Sequence, residues 1–272
     1  MLNGHAHFAT LDARFGGEAN PTREGDFTIY QYQWQRFLAR AFQEAFDLSV
    51  LRKHQRLLCQ IKTFDHRTVL LGPIHVSGKI HQLLIDSVGG DGRLLDVGCG
   101  SGQLLIRFAK SVPGDYVGLD YWGSDWEFSR AQAERNAVLE KASGLQFLRG
   151  SASKLPFRDD HFGRIVSSLT FHEVQDVKDK TASIAEAMRV LEPGGRFAFI
   201  DLFDDPKFYG GRQTVLDVIT SHGGRIDTAS SLSEVLDLRF PLNLAKVLKY
   251  AVFVSGVKPL QMEQQEARSA AG

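Results

Sequence analysis

The sequence predicts an α/β protein, with helices on both faces of a largely parallel, doubly wound sheet and a helical appendage in front of it. Three observations carry this expectation. From position 74 onward, helical and strand-like segments alternate, as strand–crossover–strand units require. Over 26–73 the apolar residues keep only a helical period. The strand expected at 93–97 runs into a glycine turn and a new helix, the place where such sheets hold ligands.

Residues 1–25 are polar, glycine-containing and aperiodic, and a mobile arm is expected there. Over 26–73, Tyr30, Trp34, Phe37, Leu38, Ala41, Phe42, Ala45 and Phe46 form one amphipathic stripe. Ser49 suits the N-cap of a second helix carrying Leu51, Leu57, Leu58 and Ile61. This appendage is expected to form a lid over the acceptor side, its stripe packing on the rest of the protein or lining an acceptor pocket. Residues 74–272 make the sheet domain. Helices are expected at 74–88, 103–110, 126–141, 181–191, 212–221 and 233–238. The seven strands fall at 93–97, 116–119, 146–149, 164–169, 196–202, 225–229 and 250–257, with Pro193-Gly194-Gly195 punctuating the fifth.

The 272 residues fit one large domain with an appendage, at a prior of about 150 residues per domain. Lys+Arg and Asp+Glu both count 32, which argues against a polyanion as main partner, so no nucleic acid is expected. Only Cys59 and Cys99 occur, far from a disulfide scaffold, which points to a reducing, cytoplasmic setting. The first residues lack the basic start and apolar stretch of a signal peptide, and no run reaches the roughly 18–20 apolar residues of a membrane span. His5 and His7 have no third ligand nearby, so no metal is expected.

The chemistry concentrates in Leu94-Leu95-Asp96-Val97-Gly98-Cys99-Gly100-Ser101-Gly102. Three glycines let backbone approach a ligand, and amides at a helix start favour a negative group. A dinucleotide fingerprint needs glycine where Gln103 stands, and no Gly-Lys-Ser/Thr ending makes a P-loop. The next strand ends in Val117-Gly118-Leu119-Asp120, where a carboxylate accepts hydrogen bonds from two ribose hydroxyls.

This D-x-G-x-G-x-G form resembles the first motif of class I S-adenosylmethionine-dependent methyltransferases. Gly150-Ser151-Ala152-Ser153-Lys154-Leu155-Pro156-Phe157, followed by Asp159-Asp160-His161-Phe162-Gly163, is similar to the segment that edges the adenine in that family. Leu191-Glu192-Pro193-Gly194-Gly195-Arg196-Phe197 matches the family's turn before its fifth strand. Together the motifs span about 94–202, and the branch they resemble contains ubiquinone and menaquinone C-methyltransferases and small-molecule methyltransferases. The resemblance implies a Rossmann-like sheet of seven mostly parallel strands and an enzyme that turns S-adenosylmethionine into S-adenosylhomocysteine. It implies that Asp96 meets the ammonium of the cofactor, that Gly98, Cys99, Gly100 and Gly102 wrap it, and that Asp120 holds the ribose. Tyr121, rather than Trp122, flanks the adenine, Ser151 and Ala152 edge it, and Ser168 and Leu169 complete the set. Ser151 stands where the family commonly has Asp, so a hydroxyl or the Ala152 amide must serve the adenine amino group.

Methyl transfer from a sulfonium needs alignment and exclusion of water more than a metal. The implied acceptor is small or lipid-like and is methylated at oxygen, nitrogen or carbon. His172, just past the fourth strand, is the candidate base, or else a structural or cofactor-side group. Glu173 either faces solvent or orients the ring. Cys99 has no partner placed by sequence and is not expected to act as a nucleophile. The basic stretch from Arg52 to Arg67 is a solvated face or an anion contact, and the apolar segment 240–248 borders the acceptor or fills core. A protein or RNA methyltransferase is disfavoured by neutral charge and by Ser168-Leu169-Thr170-Phe171 in place of an Asn-Pro-Pro-Tyr-type motif. A non-catalytic S-adenosylmethionine-binding regulator is disfavoured by the intact Asp96, glycines and Asp120.

Overall fold

Strand β1 (Leu94–Val97) reads Leu-Leu-Asp-Val and is buried throughout, as a central strand covered on both faces must be. On its two sides lie β2 (Tyr116–Asp120) and β4 (Phe162–Ser168), both parallel, with Leu95 in register with Val117 and with Ile165. β3 (Leu145–Arg149) and β5 (Leu191–Asp201) extend the parallel pairing outward. β6 (Arg225–Ser231) and β7 (Val252–Val257) add antiparallel pairs, giving the order β3-β2-β1-β4-β5-β7-β6. The strand order reverses between β1 and β4, which opens a crevice at their carboxyl ends.

The computed structural model describes residues 78–90, 92–112, 114–123, 128–237 and 249–260. The expected arm at 1–25, the lid at 26–73 with Cys59 and the basic stretch, Trp126 and the segment 240–248 lie outside the described residues.

Alternation along each strand sorts side chains to opposite faces. Leu94, Val166, Ala198 and Ile200 pack beneath α1 (78–87), α2 (Gln103–Ser111) and α3 (Arg130–Leu139), with Ile80, Leu84, Leu105, Phe108 and Ala133. Leu95, Val97, Ile165, Phe197 and Phe199 meet Ile184 and Met188 of α4 (Thr181–Val190) and Val215 and Ile219 of α6 (Arg212–Ser221). Each fully buried aliphatic or aromatic side chain contributes about 1.5–3 kcal/mol, so these two layers fix the height of every strand end.

The boundaries differ from the sequence expectation where long-range contacts decide them. Helix α3 starts late because Ser129 caps it, its hydroxyl accepting from Gln132 N at 3.2 Å. Strand β5 begins at Leu191, not 196: Gly194 N donates to Lys258 O at 2.6 Å, so Pro193-Gly194-Gly195 is held in the sheet as an irregularity between the Phe162–Leu191 and Arg164–Arg196 pairs. The short helix expected at 233–238 forms as α7 (Leu232–Val235), and two unexpected pieces appear: a 3-10 turn (Phe171–Glu173) and α5 (Pro206–Tyr209). Asp205 caps α5 by accepting from Lys207 N at 2.9 Å, with Pro206 in the first helical turn.

Candidate active site

Gly98 follows β1 with φ of 80°, and a Cβ built on it would lie 2.0 Å from Thr170 Oγ1, so only glycine lets this turn close onto the loop after β4. Its N–H and that of Cys99 donate to Leu119 O at 2.7 and 3.2 Å, which ties the turn to β2. The Asp120 carboxylate accepts from Gly100 N at 2.8 Å through Oδ2 and from Trp122 N at 2.9 Å through Oδ1. Trp122 returns its indole N–H to Gly100 O at 2.9 Å, and Asn136 of α3 donates its amide to Ser101 O at 2.9 Å. Gly102 then caps α2 with φ of 83° and no side-chain cap.

Asp96 is 2% exposed at the end of β1. Burial, and after it the charge of Asp120, push its carboxyl up to about 8. Asp120 is also raised by burial, against the lowering effect of the Trp122, Gly100 and Tyr121 N–H groups. A ligand carrying a cation beside Asp96 relieves this cost, and a diol offers Asp120 donors for its remaining lone pairs. Ser168 Oγ, at the end of β4, is buried with no hydrogen-bond partner among the described residues, a further polar atom left for a ligand. Two carboxylates, a turn that approaches by its backbone and an orphan hydroxyl fit the amino-acid and ribose parts of S-adenosylmethionine. Cys99 packs on Gly118, and burial, then Asp96 and Asp120, push its thiol up, so it stays protonated. Among the described residues no group of three or more His, Cys, Asp or Glu could hold a metal ion.

Tyr121 is 59% exposed beside Asp120; the Arg149 guanidinium lies 5.6 Å from its ring centre, and Arg149 Nε donates to Tyr121 O at 3.0 Å. Trp122, by contrast, is buried with a left-handed φ of 42°. Gly150 N donates to Asp120 O at 2.9 Å, which brings the 150–153 segment to the same edge. There Ser151 Oγ is 2.9 Å from Ser153 Oγ, which donates to Asp176 Oδ2 at 2.8 Å. Burial raises the Asp176 carboxyl, but the Ser151 and Ser153 hydroxyls outweigh it and hold the group low. Ala152 is buried next to them.

Leu169 has a left-handed φ of 55°, and its N–H donates to Ile200 O at 2.7 Å, which turns the chain into the Phe171–Glu173 turn. His172 is buried there, with Nδ1 2.6 Å from Oδ1 of Asp201 and Nε2 3.3 Å from Oε1 of the half-exposed Glu173. Glu173 therefore touches the ring as well as solvent. Burial by itself lowers the imidazole, but the charges and hydrogen bonds of Asp201 and Glu173 outweigh it and push His172 up to about 9. Asp201 also accepts from Phe171 N at 2.7 Å and Leu202 N at 2.6 Å.

The structure thus gathers Asp96, Gly98–Gly102, Asp120, Ser168 and Leu169 at one crevice, with Tyr121 and Ser151–Ala152 on the β2–β3 side and His172 on the β5 side. Asp201, Thr170, Asn136 and the indole of Trp122 were not legible as parts of it. For Asp201 a signal existed, since it falls at the carboxyl end of the strand expected at 196–202, and such strand ends face the ligand side of the sheet.

Residues 95–199 match the family described as "Methyltransferase domain". The chain is 29% identical over 194 residues, 70% of its length and 68% of the relative's, to the ubiquinone/menaquinone biosynthesis C-methyltransferase UbiE of Pseudomonas fluorescens (strain SBW25). It is 32% identical over 121 residues, 44% of its length and 51% of the relative's, to the O-methyltransferase rstn1 of Aspergillus nomiae. Its fold is similar, with a TM-score of 0.55 at 16% identity over 71% of this chain and 83% of that one, to geranyl diphosphate C-methyltransferase from Streptomyces coelicolor A3(2). Motif, sheet order, site geometry and these likenesses agree: residues 95–199 carry a methyltransferase domain similar to those of the class I S-adenosylmethionine-dependent methyltransferases, and the protein is an enzyme that uses that cofactor.

Proposed function

We propose that the chain methylates a small or lipid-like organic acceptor, at oxygen, nitrogen or carbon, in a cytoplasmic setting and without nucleic acid as substrate. The observation that carries this reading is the glycine turn that follows the buried Asp96 and is tied through Gly100 N to Asp120, at the strand-order reversal. The acceptor class is supported by the balanced charge of the chain and by relatives whose names give both C- and O-methylation, which keeps the methylated atom open. Among the described residues no helix is long and apolar enough to cross a membrane.

In this reading Asp96 takes the ammonium, Gly98, Cys99, Gly100 and Gly102 approach by their backbone, and Asp120 accepts from the ribose hydroxyls. Tyr121, Ser151 and Ala152 border the adenine, and Ser168 and Leu169 close the side toward β4. The cofactor, when bound, supplies a methyl already activated on a sulfonium sulfur. The protein's contribution is in-line alignment of the acceptor and a dry site. Where the acceptor has a proton to lose, His172 takes it from the neutral-ring state, whose population grows as pH approaches about 9.

Calorimetric titration with S-adenosylmethionine tests the cofactor assignment: binding is expected, with Asp96→Ala weakening it by at least about tenfold. No binding, or binding indifferent to Asp96→Ala, defeats it. Transfer of labelled methyl into cell-extract metabolites, with mass determination of the product, identifies the acceptor. Label found only in protein or RNA defeats the small-acceptor reading.

A further inference from the structure

The carbonyls of a ligand-binding turn are as consequential as its amides. A carbonyl oxygen facing the site would repel the carboxylate of an amino-acid ligand and leave no N–H to receive it. In the glycine turn the three successive carbonyls are all engaged from the protein side. Cys99 O accepts from Gly102 N at 2.8 Å, Gly100 O from Trp122 Nε1 at 2.9 Å and Ser101 O from Asn136 Nδ2 at 2.9 Å. The two side-chain donors come from different elements: Trp122 from the end of β2 and Asn136 from α3. Both are buried, so each donor has a fixed direction, and the carbonyls they hold are spared the cost of an unpaired buried oxygen. Trp122 further holds a left-handed φ of 42°, a conformation that costs about 1 kcal/mol or more for a non-glycine residue and persists only where its surroundings enforce it. Two contacts enforce it: its N–H sits on Asp120 Oδ1, and the other oxygen of the same carboxylate takes Gly100 N. Gly100 is thereby held at both its N–H and its carbonyl.

We propose that Trp122 and Asn136 are positioning residues for the cofactor turn. By drawing the Gly100 and Ser101 carbonyls back into the protein, they keep those oxygens from facing the carboxylate at the amino-acid end of S-adenosylmethionine. They act through the backbone and touch no reacting atom. The device therefore serves the amino-acid end of the ligand, while the ribose end depends on the Asp120 carboxylate, which keeps its backbone donors when either side chain is replaced.

The test is calorimetry on the full chain with two ligands: S-adenosylhomocysteine, which carries the amino-acid end, and 5′-methylthioadenosine, which lacks it. Trp122→Phe keeps the buried ring and removes the N–H; Asn136→Ala removes the second donor at an independent position, so one variant suffices if the other fails to fold. Each is expected to weaken S-adenosylhomocysteine by about tenfold, the worth of one buried hydrogen bond, and to change 5′-methylthioadenosine by less than about twofold. Unchanged affinity for S-adenosylhomocysteine overturns the proposal. Equal losses for the two ligands also overturn it, because a general loosening of the fold does not distinguish one end of the ligand from the other.

Discussion

His172 and Asp201 join the carboxyl ends of two neighbouring strands through a 2.6 Å contact between Nδ1 and Oδ1. The same carboxylate accepts the backbone N–H groups of Phe171, His172 and Leu202, so one buried oxygen pair organises the whole turn after β4. That turn starts at Thr170, on which Gly98 packs, and the clamp therefore reaches the cofactor loop.

The clamp predicts a stability that depends on pH. His172 is raised from 6.5 to about 9, so the folded protein binds this proton more tightly than the unfolded chain. The stabilisation is complete below pH 6.5, shrinks between 6.5 and 9, and is gone above. Its upper size is roughly 3 kcal/mol. Thermal unfolding of the wild type and His172→Gln from pH 6 to 10 should show the wild-type advantage falling across that window. A constant difference would mean that the folded state does not hold the proton.

The proposed base role makes a separate statement about rate. Because the imidazolium prevails at neutral pH, turnover through His172 should climb with pH toward about 9 and then level. His172→Ala should flatten this rise, measured with the acceptor identified by methyl labelling. A variant that loses turnover but keeps the wild-type pH profile would assign the residue to the clamp alone.

Much of the fold was legible because periodicity is a local property. The segments at 94–97, 116–120 and 212–221 carry their burial pattern in their own residues. The start of β5 was not, since Pro193-Gly194-Gly195 reads locally as a break and only the partner Lys258 keeps it in the sheet. At the candidate site, the glycine turn and Asp120 were read from spacing, and Asp96 from the resemblance to a known family. The roles of Trp122, Asn136 and Asp201 were not, because each acts on backbone atoms distant in sequence, and no spacing rule reports which carbonyl or amide a side chain will meet. Adjacent aromatics show the limit well: Tyr121 and Trp122 are neighbours, yet one is exposed and the other buried beneath the turn.

Cofactor affinity should depend on pH through Asp96. With its carboxyl pushed up to about 8, the residue is mostly protonated at pH 7 in the free protein. An ammonium group brought next to it favours the carboxylate, so binding releases a proton and tightens as pH rises toward 8. Calorimetry with S-adenosylhomocysteine at pH 7 in buffers of different ionisation enthalpy measures that proton. The apparent heat should shift between buffers for the wild type and less so for Asp96→Asn. Equal heats in all buffers would show that Asp96 is already ionised.

The closeness of Gly98 to Thr170 gives the most severe of the expected mutational effects. Gly98→Ala places a methyl 2.0 Å from Thr170 Oγ1 and 2.5 Å from Thr170 Cβ, and asks alanine to hold a φ of 80°. The side chain cannot rotate away, because the threonine Cβ is itself in the path. Overpacking of this kind costs about 1–3 kcal/mol and the backbone conformation adds about 1 kcal/mol. The melting temperature should fall by several degrees and S-adenosylhomocysteine binding should be lost, since the turn must move off β4 to relieve the clash. Adding Thr170→Gly removes the steric part and leaves the backbone part. The double variant should therefore recover stability relative to Gly98→Ala, by more than Thr170→Gly changes the wild type. Strict additivity of the two substitutions would show that the turn and the loop after β4 do not meet as described.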